Sequence, residues 1–483
     1  MPAAPAAAPP SFERAAAGLW LLGLLLRLGA IGHGAVISRD GIAYLEIARW
    51  ALAGDIDALL RAHYPPGFPA ALALLARPFG LGETSGAVAA ALLSSLVVPA
   101  TILLVARAAG RRAGLCAGLL AAALPGFVTI GAEVLSDGPY LSALAWTLVL
   151  ARRLHERGGP AAGLGAAALG GLAYLTRPEA LVVLGATALG LLVLPRPGER
   201  TGARARLADL GWLLLPGLLV VVPYLLAIRA HPVLGGVEGA GRFKLTLKQD
   251  LPQLLAAAHP ALVAGNAARL VGRAAVVLAP ALPLALAGWA ARPWTSVAGT
   301  SAPGRRLGVF LALVGLPLLL AFAVVRPDPR FALQLALLAV PAAGAGLARA
   351  LRAWPRGGRV ALVVLVLVCA AGGLRDRHER KATYRDVGAL LEAGGARRVL
   401  AEDTRAAFYA GAEATPRLSP EEEQDPAAIV RRATTEGFDA LVLVARTPEQ
   451  QATSRAVAEA LGVEPETVER AGAEPLHLFW LAR

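Results

Sequence analysis

The chain reads as a succession of apolar runs, each about as long as a bilayer core is thick and each closed off by Pro, Gly or Arg. A hydrocarbon core of roughly 30 Å takes about 20 apolar residues in helix. Inside it every backbone N–H and C=O must find a partner within the protein, which a helix provides segment by segment. The pattern predicts spanning helices at 15–36, 86–106, 114–131, 138–154, 161–175, 180–195, 210–229, 266–290, 307–325, 331–350 and 359–374, about eleven in all. The run 66–80 is apolar but short, and reads as an interfacial or re-entrant helix. Composition agrees: 56% of the 483 residues are hydrophobic and the mean hydropathy is +0.57, against about 45–50% apolar residues in soluble domains. A soluble fold of this length would lack the polar surface to cover itself.

A formal charge of +13 raises nucleic acid as a partner. That would need a Lys/Arg patch interleaved with aromatics, and no stretch has one. The charge falls instead in bursts between apolar runs: Arg107, Arg111 and Arg112; Arg152, Arg153 and Arg157; Arg196, Arg200, Arg204 and Arg206; Arg292, Arg305 and Arg306; Arg349, Arg352, Arg356 and Arg359. The positive-inside rule puts such bursts in the cytoplasm. The N-terminus is then inside, the loops 37–85, 132–137, 176–179, 230–265 and 326–330 face outward, and an odd number of spans delivers the chain after about 375 to the outside. Cys116 and Cys369 each sit in an apolar run as small hydrophobes, so neither a disulfide nor a thiolate metal site is expected.

After Leu374 the sequence turns charged and polar. Segments 384–394, 425–436 and 449–461 read as helices, with Val399 to Ala401 and Leu441 to Val444 as short buried strands. The expected organisation is therefore a polytopic α-helical membrane domain, 1–374, followed by a small α/β soluble domain, 375–483. No glycine-rich phosphate loop and no His or Cys cluster marks the latter.

Chemistry-bearing residues collect in the outward loops, where binding groups on a rigid scaffold usually lie. Asp40 follows the first span and opens the helix containing Tyr44. It either takes a proton from an acceptor hydroxyl as general base or caps that helix. His63 and Tyr64 precede Pro65 and Pro66, which fix the turn; the pair are substrate contacts or interface anchors. Glu133 and Asp137 flank Ser136 at the outer end of a span. Acids so near hydrocarbon are costly and are usually kept for a partner, here a sugar hydroxyl, a metal or an amine, with helix capping as the other role for Asp137. Arg177 and Glu179, again on the outward side, are candidate substrate contacts or simply pair with each other. Arg330 lies in the first turn of a span, where a guanidinium and a helix N-terminus together suit a phosphate; an interface arginine is the plainer reading. Lys244, in the basic loop 230–265 with His231, Arg242 and Lys248, can steer an anionic donor.

The order of these features resembles the GT-C superfamily of membrane glycosyltransferases, and more narrowly its bacterial protein-mannosyltransferase and aminoarabinose-transferase-like branch. The features are Asp40 after the first span, Tyr44-Leu45-Glu46-Ile47-Ala48-Arg49, the turn Tyr64-Pro65-Pro66-Gly67-Phe68-Pro69, Ser136-Asp137, Thr176-Arg177-Pro178-Glu179, and Arg330-Phe331 before a span containing Pro341. The resemblance covers about 15–350, and the tail is similar to the small extracytoplasmic domain of such bacterial proteins. It implies a polyprenyl-phosphate sugar donor and transfer with inversion to a lipid, glycan or protein acceptor at the outer face of a bacterial inner membrane. It assigns Asp40 as base or acceptor-orienting group, Asp137 as the second acidic position and Arg330 to the donor phosphate. Many relatives carry Asp-Glu in the first loop, whereas Gly41 follows Asp40 here. One carboxylate alone is a poor divalent-metal site, so no metal ligands are assigned and the use of a divalent metal is left open.

A transporter or lipid flippase is the main alternative. Such proteins often show internal repeats and ionisable groups at mid-membrane; the sequence has no evident repeat, and apart from Arg27 its charges group at span ends. A non-catalytic scaffold would leave the charged outward loops unexplained.

Overall fold

A computed structural model describes residues 10–34, 36–62, 64–194, 202–230, 259–284, 286, 302–325, 328–375, 379–412, 417–419, 421–470 and 473–481. The chain divides into two compact units. One comprises Met1–Ile31 with Tyr44–Leu374, the other Gly32–Ala43 with Arg375–Arg483.

The first unit is helical. Its elements are α1 (Pro10–Ile31), α2 (Arg39–Ala53, shared at its first turns with the second unit), α3 (Ile56–Arg61), α4 (Gly67–Ala76), α5 (Glu83–Ser95), α6 (Val97–Ala109), α7 (Arg111–Ala123), α8 (Pro125–Gly131), α9 (Asp137–Arg157), α10 (Pro160–Thr176), α11 (Ala180–Val193), α12 (Ala203–Ala230), α13 (Pro260–Leu278), α14 (Ala302–Val325), α15 (Pro329–Ala353) and α16 (Pro355–Gly373). Each expected span has a helical counterpart, with shifted ends. The first starts five residues earlier than expected, where Pro10 and first-turn Glu13 suit a helix start. It stops at Ile31, before the glycines at 32 and 34. The expected end of 266–290 runs past Leu278 into residues that, beyond 284 and apart from 286, lie outside those described.

Among the described residues, seven helices are long and apolar enough to cross a membrane, or eight if the α7–α8 pair, bent by 55°, is one broken span. Four of the expected eleven fall outside that group of seven. They are α7–α8 because it is bent, α10 and α11 because they are short, and α9 because its last turns carry Arg152, Arg153, His155, Glu156 and Arg157. The run at 66–80 forms α4 and a 3-10 turn, and exposes Leu74 and Phe79.

The α7–α8 break has a specific chemistry. Pro125 has no N–H to give the Ala121 carbonyl one turn back, so α7 ends with an orphaned acceptor. Arg27, buried in α1, supplies the donors: its Nη2 reaches the Ala121 oxygen at 3.3 Å, and its Nη1 reaches the oxygens of Ala122 at 3.4 Å and Gly23 at 2.8 Å. A cation at a helix C-terminus also opposes the negative end of the dipole. Arg27 is thus explained as a cap on a broken helix.

Close helix crossings rest on small residues. A Cβ on Gly344 of α15 would lie 2.6 Å from the Ala117 backbone of α7, and one on Gly118 would lie 2.2 Å from the Ile102 side chain of α6. Cys116 and Cys369 are buried and free.

The second unit is a layered α/β domain with α17 (Thr383–Ala393), β1 (Val399–Ala401), α18 (Arg405–Tyr409), α19 (Pro426–Thr435), β2 (Ala440–Val444), α20 (Pro448–Leu461), β3 (Glu466–Val468) and β4 (Leu476–Trp480). The sheet order is β1-β2-β4-β3, parallel between β1 and β2 and antiparallel at the other two pairings. Ala440, Val442 and Val444 pack with Val387 and Leu391 of α17 on one face; Leu441 and Leu443 pack with Ile429 of α19 and Val457 of α20 on the other. Burial on both faces explains why β2 is an unbroken apolar run, Ala-Leu-Val-Leu-Val. The expected strands at 399–401 and 441–444 are present. Strands β3 and β4 were not anticipated.

Gly344→Ala should force α7 and α15 apart, since the new methyl meets backbone that cannot rotate away. It is expected to cost about 1–3 kcal/mol and lower the melting temperature in detergent, while Gly185→Ala, which opens onto free space, leaves it unchanged.

Candidate active site

Three charged residues meet where α9, α10 and α11 end or begin. Arg177 follows α10 because it precedes Pro178, and a residue before proline is pushed out of helical geometry; its φ of −151° and ψ of 128° are extended. Its side chain therefore turns away from the helix. Nη1 contacts Asp137 Oδ1 at 2.5 Å, and Nη2 contacts Glu179 Oε1 at 2.9 Å. All three side chains are at least 85% buried. Burial would lower the arginine pKa, but the charges of Asp137 and Glu179 outweigh it and hold the pKa well above the ordinary value. Arg177 is a permanent cation here.

Asp137 is the first residue of α9, where the positive end of the dipole favours a carboxylate. Its side chain pairs with the Arg177 guanidinium. Its second oxygen lies 4.0 Å from Arg330 Nη1. Arg330, in the first turn of α15, is the most exposed member of the cluster, with 38% of its side chain accessible against 5% for Asp137. The amides of that first turn are not all open to an anion, because the Asp328 carboxylate accepts the Arg330 N–H at 2.9 Å. Anion affinity at this helix end rests chiefly on the guanidinium.

Aromatic side chains border the cluster. Arg177 lies over the ring of Phe331 at 5.7 Å, and Phe331 stacks on Phe322 at 4.0 Å. Tyr44 shares a 2.8 Å hydrogen bond with Ser136, beside Asp137, and its ring meets Tyr64 at 4.6 Å and Phe68 at 5.0 Å. The turn carrying Tyr64 is pressed against the end of α10, since a Cβ on Gly67 would fall 2.7 Å from the Leu175 carbonyl group. Only glycine permits that approach.

The helical unit thus brings together Tyr44, Tyr64, Asp137, Arg177, Glu179 and Arg330. Glu133 lies half-buried in the turn before α9. Asp40 is in the first turn of α2 and groups with the second unit. The start of its helix is held by Ser38, whose Oγ accepts the Gly41 N–H at 3.0 Å. His63, Lys244, His231, Arg242 and Lys248 lie outside the described residues. Ser136 and Phe68 were missed as partners of Tyr44; the one sequence signal was the serine set beside Asp137. Among the described residues, no group of three or more His, Cys, Asp or Glu side chains is arranged to hold a metal ion.

Residues 63–226 match a family model described as dolichyl-phosphate-mannose-protein mannosyltransferase. That stretch contains Tyr64, Asp137, Arg177 and Glu179. A comparison with curated protein sequences finds no match. The fold is similar to that of ArnT from Cupriavidus metallidurans, both bound to undecaprenyl phosphate (TM-score 0.62) and in the apo state (TM-score 0.63), each at 17% identity with 97% of either chain covered. It is also similar to the oligosaccharyltransferase AglB of Archaeoglobus fulgidus, in complex with an inhibitory peptide and a dolichol-phosphate. That match has a TM-score of 0.53 at 12% identity, over 96% of this chain and 74% of the other. The chain is thus similar over residues 63–226 to a mannosyltransferase family model, and in fold to ArnT and AglB.

Proposed function

We propose that this protein transfers a sugar from a polyprenyl-phosphate-linked donor to an acceptor at the outer face of a bacterial inner membrane. The N-terminus would be cytoplasmic and the unit containing 375–483 extracytoplasmic. The observation that carries the reading is the cluster Asp137–Arg177–Glu179 with the more exposed Arg330 at its edge. Beside this buried group of two carboxylates and one guanidinium stands a second, more accessible guanidinium at a helix N-terminus, which suits a phosphate that gains charge as its sugar departs. ArnT bound to undecaprenyl phosphate shares the fold, and supports a lipid-phosphate donor in general.

In the proposed reaction the acceptor hydroxyl attacks the anomeric carbon from the side opposite the phosphate. The C–O bond to the phosphate breaks with its electron pair passing to the phosphate oxygen, and the configuration inverts. Asp40 takes the hydroxyl proton, or orients the acceptor, and Arg330 neutralises the leaving phosphate. Asp137, already engaged by Arg177, is assigned to hold that arginine and to bias Arg330 rather than to carry a proton. Tyr44 and Tyr64 would line the sugar or acceptor side, with Glu133 and, in the outward loops, His63 and Lys244 as further contacts. Phosphate is a good leaving group, so placement and charge compensation account for most of the catalysis required.

Three outcomes test this reading. Purified protein in proteoliposomes, supplied with a panel of radiolabelled undecaprenyl-phosphate sugars, should transfer or release sugar from at least one; movement of intact donor into sealed vesicles with no sugar released would indicate a flippase. Asp40→Asn should abolish transfer while folded yield and membrane insertion persist, and turnover at the wild-type rate would rule out the base. Arg330→Ala should keep the protein folded, because the side chain is partly exposed, and weaken competition by undecaprenyl phosphate by about tenfold or more, the worth of one charge-assisted hydrogen bond. Arg177→Leu is expected to differ in kind: it strands two buried carboxylates at a cost of about 3–5 kcal/mol, and should be read out as lost folded protein on size exclusion.

A further inference from the structure

The segment that leads into Asp40 is held at two points by residues far along the chain. Ile37 N–H donates to the Tyr409 hydroxyl at 2.9 Å. Two positions on, Arg39 Nε and Nη2 reach Asp403 Oδ2 at 2.7 and 2.6 Å. Each acceptor is itself fixed. Asp403 is 1% exposed; its Oδ2 also takes Arg405 Nη2 at 3.0 Å, and its Oδ1 accepts the Arg405 N–H at 3.1 Å. Tyr409 lies under the Arg385 guanidinium at 5.1 Å and meets Phe408 edge-on. Its Cβ is so close to α17 that a Cβ on Gly388 would fall 2.4 Å away. Between the two anchored residues, Ser38 fixes the start of α2 through Gly41 and Ile42.

We propose that the C-terminal α/β unit is the positioning element for Asp40, acting through two tethers, Arg39–Asp403 and Ile37–Tyr409. The inference rests on the reading of Asp40 as base or acceptor-orienting group. A base must be held within about half an ångström of its productive place, and a short connection between two helices does not by itself provide that. The tethers sit just ahead of Asp40, at the start of α2, and restrict both the path of the chain into the helix and the rotation of its first turn.

The arrangement also suggests that folding does not require the arginine tether. Arg39 is 40% exposed, and Asp403 retains Arg405 when Arg39 is replaced. Replacing Arg39 therefore leaves the buried Asp403 carboxylate with a cationic partner and a backbone N–H, so this ion pair is better matched to fixing geometry.

The test uses full-length protein in nanodiscs, with Arg39→Gln, Tyr409→Phe, the double variant and Arg39→Lys, and Asp40→Asn in parallel. Hydrogen exchange over residues 36–43 should rise in the double variant while the other strands and helices of the unit keep their protection. The kcat for the undecaprenyl-phosphate sugar that the wild-type protein turns over should fall at least about tenfold with donor KM unchanged, and Arg39→Lys should restore most of it. Wild-type kcat in the double variant, with exchange raised and Asp40→Asn inactive, would overturn the positioning role and leave the base intact. Unchanged exchange would overturn the tethers. Full turnover by Asp40→Asn would remove the base and the inference with it. Loss of folded protein in Arg39→Gln would count against the proposal, because it assigns Arg39 no part in folding.

Discussion

A guanidinium taken out of water among helices has to be neutralised, and the answer at Arg177 organises the whole candidate site. Its two carboxylate partners come from different elements: Asp137 from the start of α9, Glu179 from the turn before α11. Satisfying one cation therefore fixes three helix ends relative to one another. The cost of dehydrating such a group is several kcal/mol, and its attraction to the carboxylates offsets that only when the geometry is good. Phe331, against the guanidinium, extends the same constraint to α15 and so to Arg330.

Arg27 obeys the same rule with a different partner. Its guanidinium bonds to main-chain oxygens, two of them at the end of α7. Pro125 creates the need for a donor, and the arginine four residues from the end of α1 meets it. The indole of Trp146 donates to the Leu96 carbonyl between α5 and α6. The breaks permit close packing: Gly131, the last residue of α8, would meet Arg27 Nε at 2.7 Å if it carried a Cβ. Helix irregularity, buried cation and small residues are parts of one solution.

Much of the fold was legible in the sequence because helix length and apolar content respond to the same bilayer constraint. Helix ends were less so, as at Ile31, where glycine outweighed continuing hydrophobicity. Strand β4, Leu-His-Leu-Phe-Trp, leaves little signal because so short an apolar run carries no decisive periodicity of its own; its pairing with β2 and β3 makes it a strand. In the candidate site the acids and arginines were visible, since charge at the end of a span is expensive enough to stand out. Their pairing was half visible: Arg177 with Glu179 is local, whereas Arg177 with Asp137 spans 40 residues and follows from how α9 and α10 pack. The link from Arg39 to Asp403 spans 364 residues and left no mark in the sequence.

The strand order β1-β2-β4-β3 has a bearing on assembly. The strand synthesised last lies inside the sheet, so β3 has no neighbour to pair with until Leu476–Trp480 has been made. During biogenesis, then, the helices that follow α2 are laid down while the residues that secure the start of α2 have yet to be translated. The protein would pass through a stage in which its bundle is inserted but Asp403 and Tyr409 cannot yet engage their partners. The start of α2 would be secured late, as a consequence of chain order alone.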